Sequence, residues 1–130
     1  MSLATATVQG KKHSATITVS SANPFDLTFV AKLTYRRIKV SATFAHNLTG
    51  PIGVTGCREV TLHNHSLDNV ELTAEDFAEA RTILTYMWAV VKSAAFAAQR
   101  ANLLTKAAEF ALDGETNKAD RCVDAAARLA

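Results

Sequence analysis

The sequence predicts an α+β domain in which an N-terminal antiparallel β-sheet precedes a long C-terminal helical region. Three observations predict it. Apolar residues alternate with period two through the first 65 positions, the period changes to 3.6 at Thr73, and turn-forming residues are concentrated in the first half. The 130 residues suit one domain, with a sheet part over 1–65 and a helical part over 73–130. With 48% apolar and 20% charged residues, the composition is that of a chain able to bury a core rather than remain disordered.

The strands follow in order. Ala4 to Gln9 and His13 to Ser20 alternate, with Ala15, Ile17 and Val19 on one side and Thr16, Thr18 and Ser20 on the other; Gly10-Lys11-Lys12 between them spells a hairpin turn. After Ala22-Asn23-Pro24, a third strand sets Phe25, Leu27, Phe29, Ala31 and Leu33 on one face and Thr28, Lys32 and Thr34 on the other. In the next run, Tyr35 to Ala45, Ile38, Val40, Ala42 and Phe44 point inward and Tyr35, Arg37, Lys39, Ser41 and Thr43 outward. The parity therefore flips between Leu33 and Arg36, which requires a bulge or tight turn. Asn47 to Gly56 reads as a loop that could hold a short strand at Ile52 to Val54, Val60 and Leu62 mark a further strand, and Ser66 to Leu72 is a connector or edge strand.

Thr73 has the chemistry of an N-cap, and Glu75 and Asp76 complement the helix dipole. Phe77, Ala80, Leu84, Met87, Val91, Ala94, Ala98 and Ala101 keep a three-four spacing, and Ile83, Val90, Phe96, Ala97, Leu103 and Leu104 widen it into a second stripe. Two apolar faces need two partners: the sheet, and a second copy of the helix approaching over the small residues from Ala94 to Ala101. Homodimerisation is therefore expected, with Phe77, Leu84, Met87, Trp88 and Val91 as its candidate contacts. Leu112-Asp113-Gly114-Glu115 ends the helix at a glycine, and Asn117 to Leu129 forms a last short helix.

Net charge is only +2, but residues 1–58 hold seven Lys or Arg against Asp26 alone, while the remainder has seven basic and eleven acidic residues. A basic sheet half points to an anionic partner. The outward row Tyr35, Arg37, Lys39, Ser41 and Thr43, joined by Thr61 and His63 from a later strand, has parts that suit single-stranded nucleic acid: cations and hydroxyls for phosphate oxygens, and one ring for stacking on an unpaired base. The competing reading is an ordinary solvated β-face, since Thr and Ser also suit strands without any ligand.

Catalytic signatures are missing from the sequence. It holds no glycine-rich phosphate loop, no GxSxG and no HExxH, and carboxylates are scarce in the sheet half. No enzymatic activity, small-molecule substrate, cofactor or metal is expected. His63-Asn64-His65 offers two ligands, and a zinc site would need a third from His13, His46 or Cys57. Cys57 and Cys122 read as two reduced thiols. The N-terminus lacks the apolar core of a signal peptide and no run suits a membrane span, so cytoplasmic synthesis without a membrane partner is the expectation.

Leu27-Thr28-Phe29-Val30-Ala31-Lys32-Leu33, Arg37-Ile38-Lys39-Val40 and Asn47-Leu48-Thr49-Gly50, preceded by Ile17-Thr18-Val19-Ser20 and Asn23-Pro24, resemble the central strands of single-stranded RNA bacteriophage coat proteins. The resemblance covers about residues 15 to 50; family members usually give more of the chain to strands before a shorter helical tail. It implies a virion protein made in a bacterial host cytoplasm, an intertwined homodimer that self-assembles into a capsid shell. In such a protein Arg37, Lys39, Ser41, Thr43 and Thr61 would face single-stranded RNA, and Tyr35 would stack on a base. The alternatives are a small dimeric single-stranded nucleic-acid-binding protein that forms no shell, a metal enzyme built on His63 and His65, and a protein-binding adaptor.

Overall fold

The computed structural model describes residues 2–36, 38–45, 59–66 and 73–129, with backbone alone for 45 and 59–66. Five strands, β1 (Ser2–Gln9), β2 (Ser14–Asn23), β3 (Thr28–Tyr35), β4 (Ile38–Ala45) and β5 (Glu59–Ser66), are followed by helices α1 (Ala74–Leu112) and α2 (Thr116–Ala127). The sheet is antiparallel with spatial order β1-β2-β3-β4-β5, so each strand lies beside its neighbour in sequence. The predicted α+β layout, sheet first and helices second, is what the chain adopts.

Local chemistry explains each turn. Gly10 closes the first hairpin by donating from its backbone N–H to His13 O at 2.8 Å; a Cβ on Gly10 would lie 3.1 Å from that same oxygen. Between β2 and β3, Asn23 Oδ1 accepts from the backbone N–H of Phe25 at 3.1 Å, and Asn23 Nδ2 donates to Asp26 Oδ2 at 2.6 Å. Leu27 then takes a left-handed backbone, φ 55°, and its fully buried side chain offsets that strain. This turn corrects the face assignment at its edge: Phe25 is exposed rather than inward, and Thr28 is buried rather than outward.

The parity flip near Leu33 is a two-residue hairpin. Tyr35 pairs with Ile38, and Arg36, at φ 55°, stands between them with Arg37, which lies outside the described residues. Tyr35 thus closes β3 and shares the inward face of Leu33, a correction to the outward position that follows from counting it into β4. The loop from Asn47 to Gly56, the short strand considered at Ile52 to Val54, and residues 67–72 lie outside the described residues.

Helix α1 starts at a full capping box: Thr73 Oγ1 accepts from Asp76 N–H at 3.2 Å, and Thr73 N–H donates to Asp76 Oδ2 at 2.9 Å. It runs 39 residues without interruption, about 58 Å at 1.5 Å per residue, so it outreaches strands of about 26–34 Å. Its end is a Schellman turn, with Gly114 at φ 78°, Gly114 N–H on Ala111 O at 3.1 Å and Glu115 N–H on Phe110 O at 2.8 Å.

The core lies between one sheet face and α1. Ile17, Val19, Phe29, Leu33, Val40 and Phe44 meet Ala80, Leu84, Met87, Trp88, Val91 and Ala95. Trp88 stacks on Phe44 with centroids 4.2 Å apart and planes 2° from parallel, and Phe96 stacks on Phe29 at 4.9 Å. Beyond Val91 the buried positions are Ala95, Gln99, Leu103 and Ala107. The predicted continuation through Ala94, Ala98 and Ala101 is displaced by one or two positions, because alanine is apolar enough to fit either side of a helix. Leu103 packs beside Ala125, Ala126 and Leu129, and Cys122 is buried with Ala107 and Ala119.

Candidate nucleic-acid interface

One sheet face packs on α1, and the other is open. On the open face, strand register aligns side chains into cross-strand rows. Thr7, Thr16, Thr34 and Lys39 form one row, Thr5, Thr18, Lys32 and Ser41 a second, and Ser20, Val30 and Thr43 a third. Lys32, Thr34 and Lys39 are exposed, and Thr16, Thr18, Ser41 and Thr43 are half-buried among their neighbours. Thr7 Oγ1 and Thr16 Oγ1 are 2.9 Å apart, a hydroxyl pair spanning β1 and β2. Across to β5 the backbone register continues the rows from Lys39 to His63, Ser41 to Thr61 and Thr43 to Glu59.

Among the described side chains of these rows there are two lysines and no carboxylate. The rows therefore present hydroxyls at strand spacing, neighbours about 4.7–4.9 Å apart, with positive charge toward the middle of the sheet. Hydroxyls donate to phosphate and sugar oxygens without demanding a given base, and ammonium groups neutralise phosphate.

Lys39, Ser41 and Thr43 occupy the outer face as the alternation predicts. Arg37 and the side chains of Thr61, His63 and His65 lie outside the described residues, as do His46 and Cys57. Tyr35 is a correction. It is only 6% exposed, its ring lies on the helix side, and its hydroxyl donates to Glu79 Oε1 at 2.8 Å, so it is no stacking platform on the outer face. Burial raises the Tyr35 phenol above its usual 10.0, and the hydrogen bond and negative charge of Glu79 add to this against a smaller opposing effect of Arg36. Arg36 also approaches Glu79, Nη1 to Oε2 at 3.9 Å. Sequence reasoning left Lys32, Thr16, Thr18 and Thr34 out of the site, although the alternation that selected Lys39 had put them on the same face.

The expected subunit contacts also change. Leu84, Met87, Trp88 and Val91 are buried within their own chain and Phe77 packs half-buried at its edge, because the chain's own sheet takes that side of α1. The open side carries a different series: Tyr86, Val90, Ala94, Ala97, Ala101, Leu104 and Ala108, every one exposed and spaced three or four apart. Tyr86 is 71% and Val90 59% exposed. This is a continuous uncharged stripe over more than six turns, narrow at its alanines.

Among the described residues no three His, Cys, Asp or Glu side chains converge, and no helix is long and apolar enough to cross a membrane. Cys122 is free and buried. Comparison with family models, with curated proteins and with solved structures finds no match to this chain.

Proposed function

We propose that this protein is a viral coat protein of the single-stranded RNA phage type, a homodimer that assembles into a shell and holds single-stranded RNA against the open face of its sheet. The observation that carries the reading is that open face: Thr and Ser rows with Lys32 and Lys39 among them and no carboxylate among the described side chains. The stripe from Tyr86 to Ala108 supplies the intersubunit contact, since a soluble monomer gains nothing from an uncharged ridge of that length. Its alanines allow close approach of a second helix.

Coat function is tested by expressing the chain, separating it by size, measuring absorbance at 260 and 280 nm, and imaging the earliest peak by negative-stain electron microscopy. Uniform round particles rich in RNA are expected. A dimer that binds RNA but forms no particles would move the assignment to a small single-stranded nucleic-acid-binding protein, and a chain that binds no RNA would remove both.

A further inference from the structure

Where α1 outruns the sheet, its sheet-facing side continues with Gln99, Asn102, Lys106 and Glu109 over the ends of β1 and β2. A cleft of about 490 Å³ opens there against Leu3, Ser21 and Pro24. That volume falls within the range of small-molecule sites, about 300–1,000 Å³. One group in it is unsatisfied, and a second polar side chain is buried beside it. Ser21 Oγ is buried without a hydrogen-bond partner, beside the register slip between Ser21 and Asn23, and Gln99, only 3% exposed, lines the same cleft. Buried polar groups are normally paired, so an unpaired one marks a place where a ligand group can bond.

The electrostatics select the class of occupant. Lys106 Nζ lies 3.7 Å from Glu109 Oε2, so the two rim charges offset one another and neither a cation nor an anion finds an uncompensated counter-charge. A carboxamide presents an acceptor and a donor side by side, and the matching edge is an adjacent N–H and C=O on a rigid ring. Leu3 and Pro24 give apolar contact to the rest of such a ring. We propose that this cleft binds a neutral planar cyclic amide, the chemistry of a uracil-type base, through two hydrogen bonds to Gln99 and a third to Ser21 Oγ. The site lies on the helix side of the sheet and stands independently of RNA binding on the open face.

The test uses uridine as probe, with binding followed by ligand-detected saturation-transfer NMR and calorimetry on the intact protein in whatever assembly it forms. N3-methyluridine, whose ring N–H is blocked, should bind at least tenfold more weakly, and Gln99→Leu should weaken uridine by a similar factor while Lys39→Glu leaves it unchanged. Ser21→Ala, a milder change, should weaken it severalfold and guards against a Gln99 variant that fails to fold. Competition by an oligouridylate would assign the base to an RNA strand, and lack of competition to a free nucleoside. The proposal is overturned by no uridine binding up to about 10 mM, by equal binding of the methylated probe, by equal affinity in folded Gln99→Leu, or by a second copy of the chain filling the cleft.

Discussion

Tyr35 shows how one residue's face decides its role. Held at the end of β3, it joins the sheet to α1 through Glu79, and its ring meets His13 edge-on at 6.1 Å. Tyr35→Phe keeps the packing and removes the hydrogen bond to the carboxylate, so chemical denaturation at pH 7 should show a loss of about 1.5–3 kcal/mol. The raised phenol pKa adds a pH signature. Folding favours protonated Tyr35, so its contribution is complete below the unfolded value near 10.0 and is lost as pH rises through the higher folded value. Thermal melts between pH 8 and 11 should fall more steeply for the native chain than for Tyr35→Phe; parallel curves would contradict the pairing. The face of Tyr35 was not legible in sequence because period-two counting gives opposite answers on the two sides of a hairpin, and nothing in Leu33-Thr34-Tyr35-Arg36-Arg37-Ile38 states which residue turns. Lys39, Ser41 and Thr43 were legible because all three lie on β4 beyond the turn and share one alternation.

At the scale of elements, strand alternation and the helix start were both readable, since each rests on local chemistry. The Thr73 box is such a case, and Thr73→Ala should lower stability by about 1 kcal/mol by denaturant titration. The side of α1 that meets the sheet was harder to read. In an alanine-rich helix the apolar arc is wide, and which side is buried depends on the partner rather than on the residues alone. Trp88 settles it by stacking on Phe44, and Trp88→Ala should cost about 3–5 kcal/mol within a single chain. Val90→Glu with Leu104→Glu, on the opposite side, should leave the melting of the chain nearly unchanged yet lower its association state in analytical ultracentrifugation. The reverse outcome would return the subunit contact to the Trp88 side.

For the whole molecule, the basic excess of the first half is the part of the charge asymmetry that the fold places on one surface. The helices cover one face of the sheet, and Lys32 and Lys39 stand on the other. On the covered side, α1 and α2 carry six acidic and six basic residues, so their charges balance. The helical layer is therefore close to neutral, and among the described side chains the unbalanced positive charge lies on the open face of the sheet. The most direct test compares affinity for a labelled single-stranded RNA, across a salt series, between Lys32→Glu/Lys39→Glu on the open face and Lys118→Glu/Arg121→Glu on α2, two variants of equal charge change. The open-face pair should lose at least tenfold and flatten the salt dependence by about 1.4 in log-log slope for two phosphate contacts, with the α2 pair near the native chain. Equal losses in the two variants, or a larger loss from α2, would contradict RNA binding on the sheet.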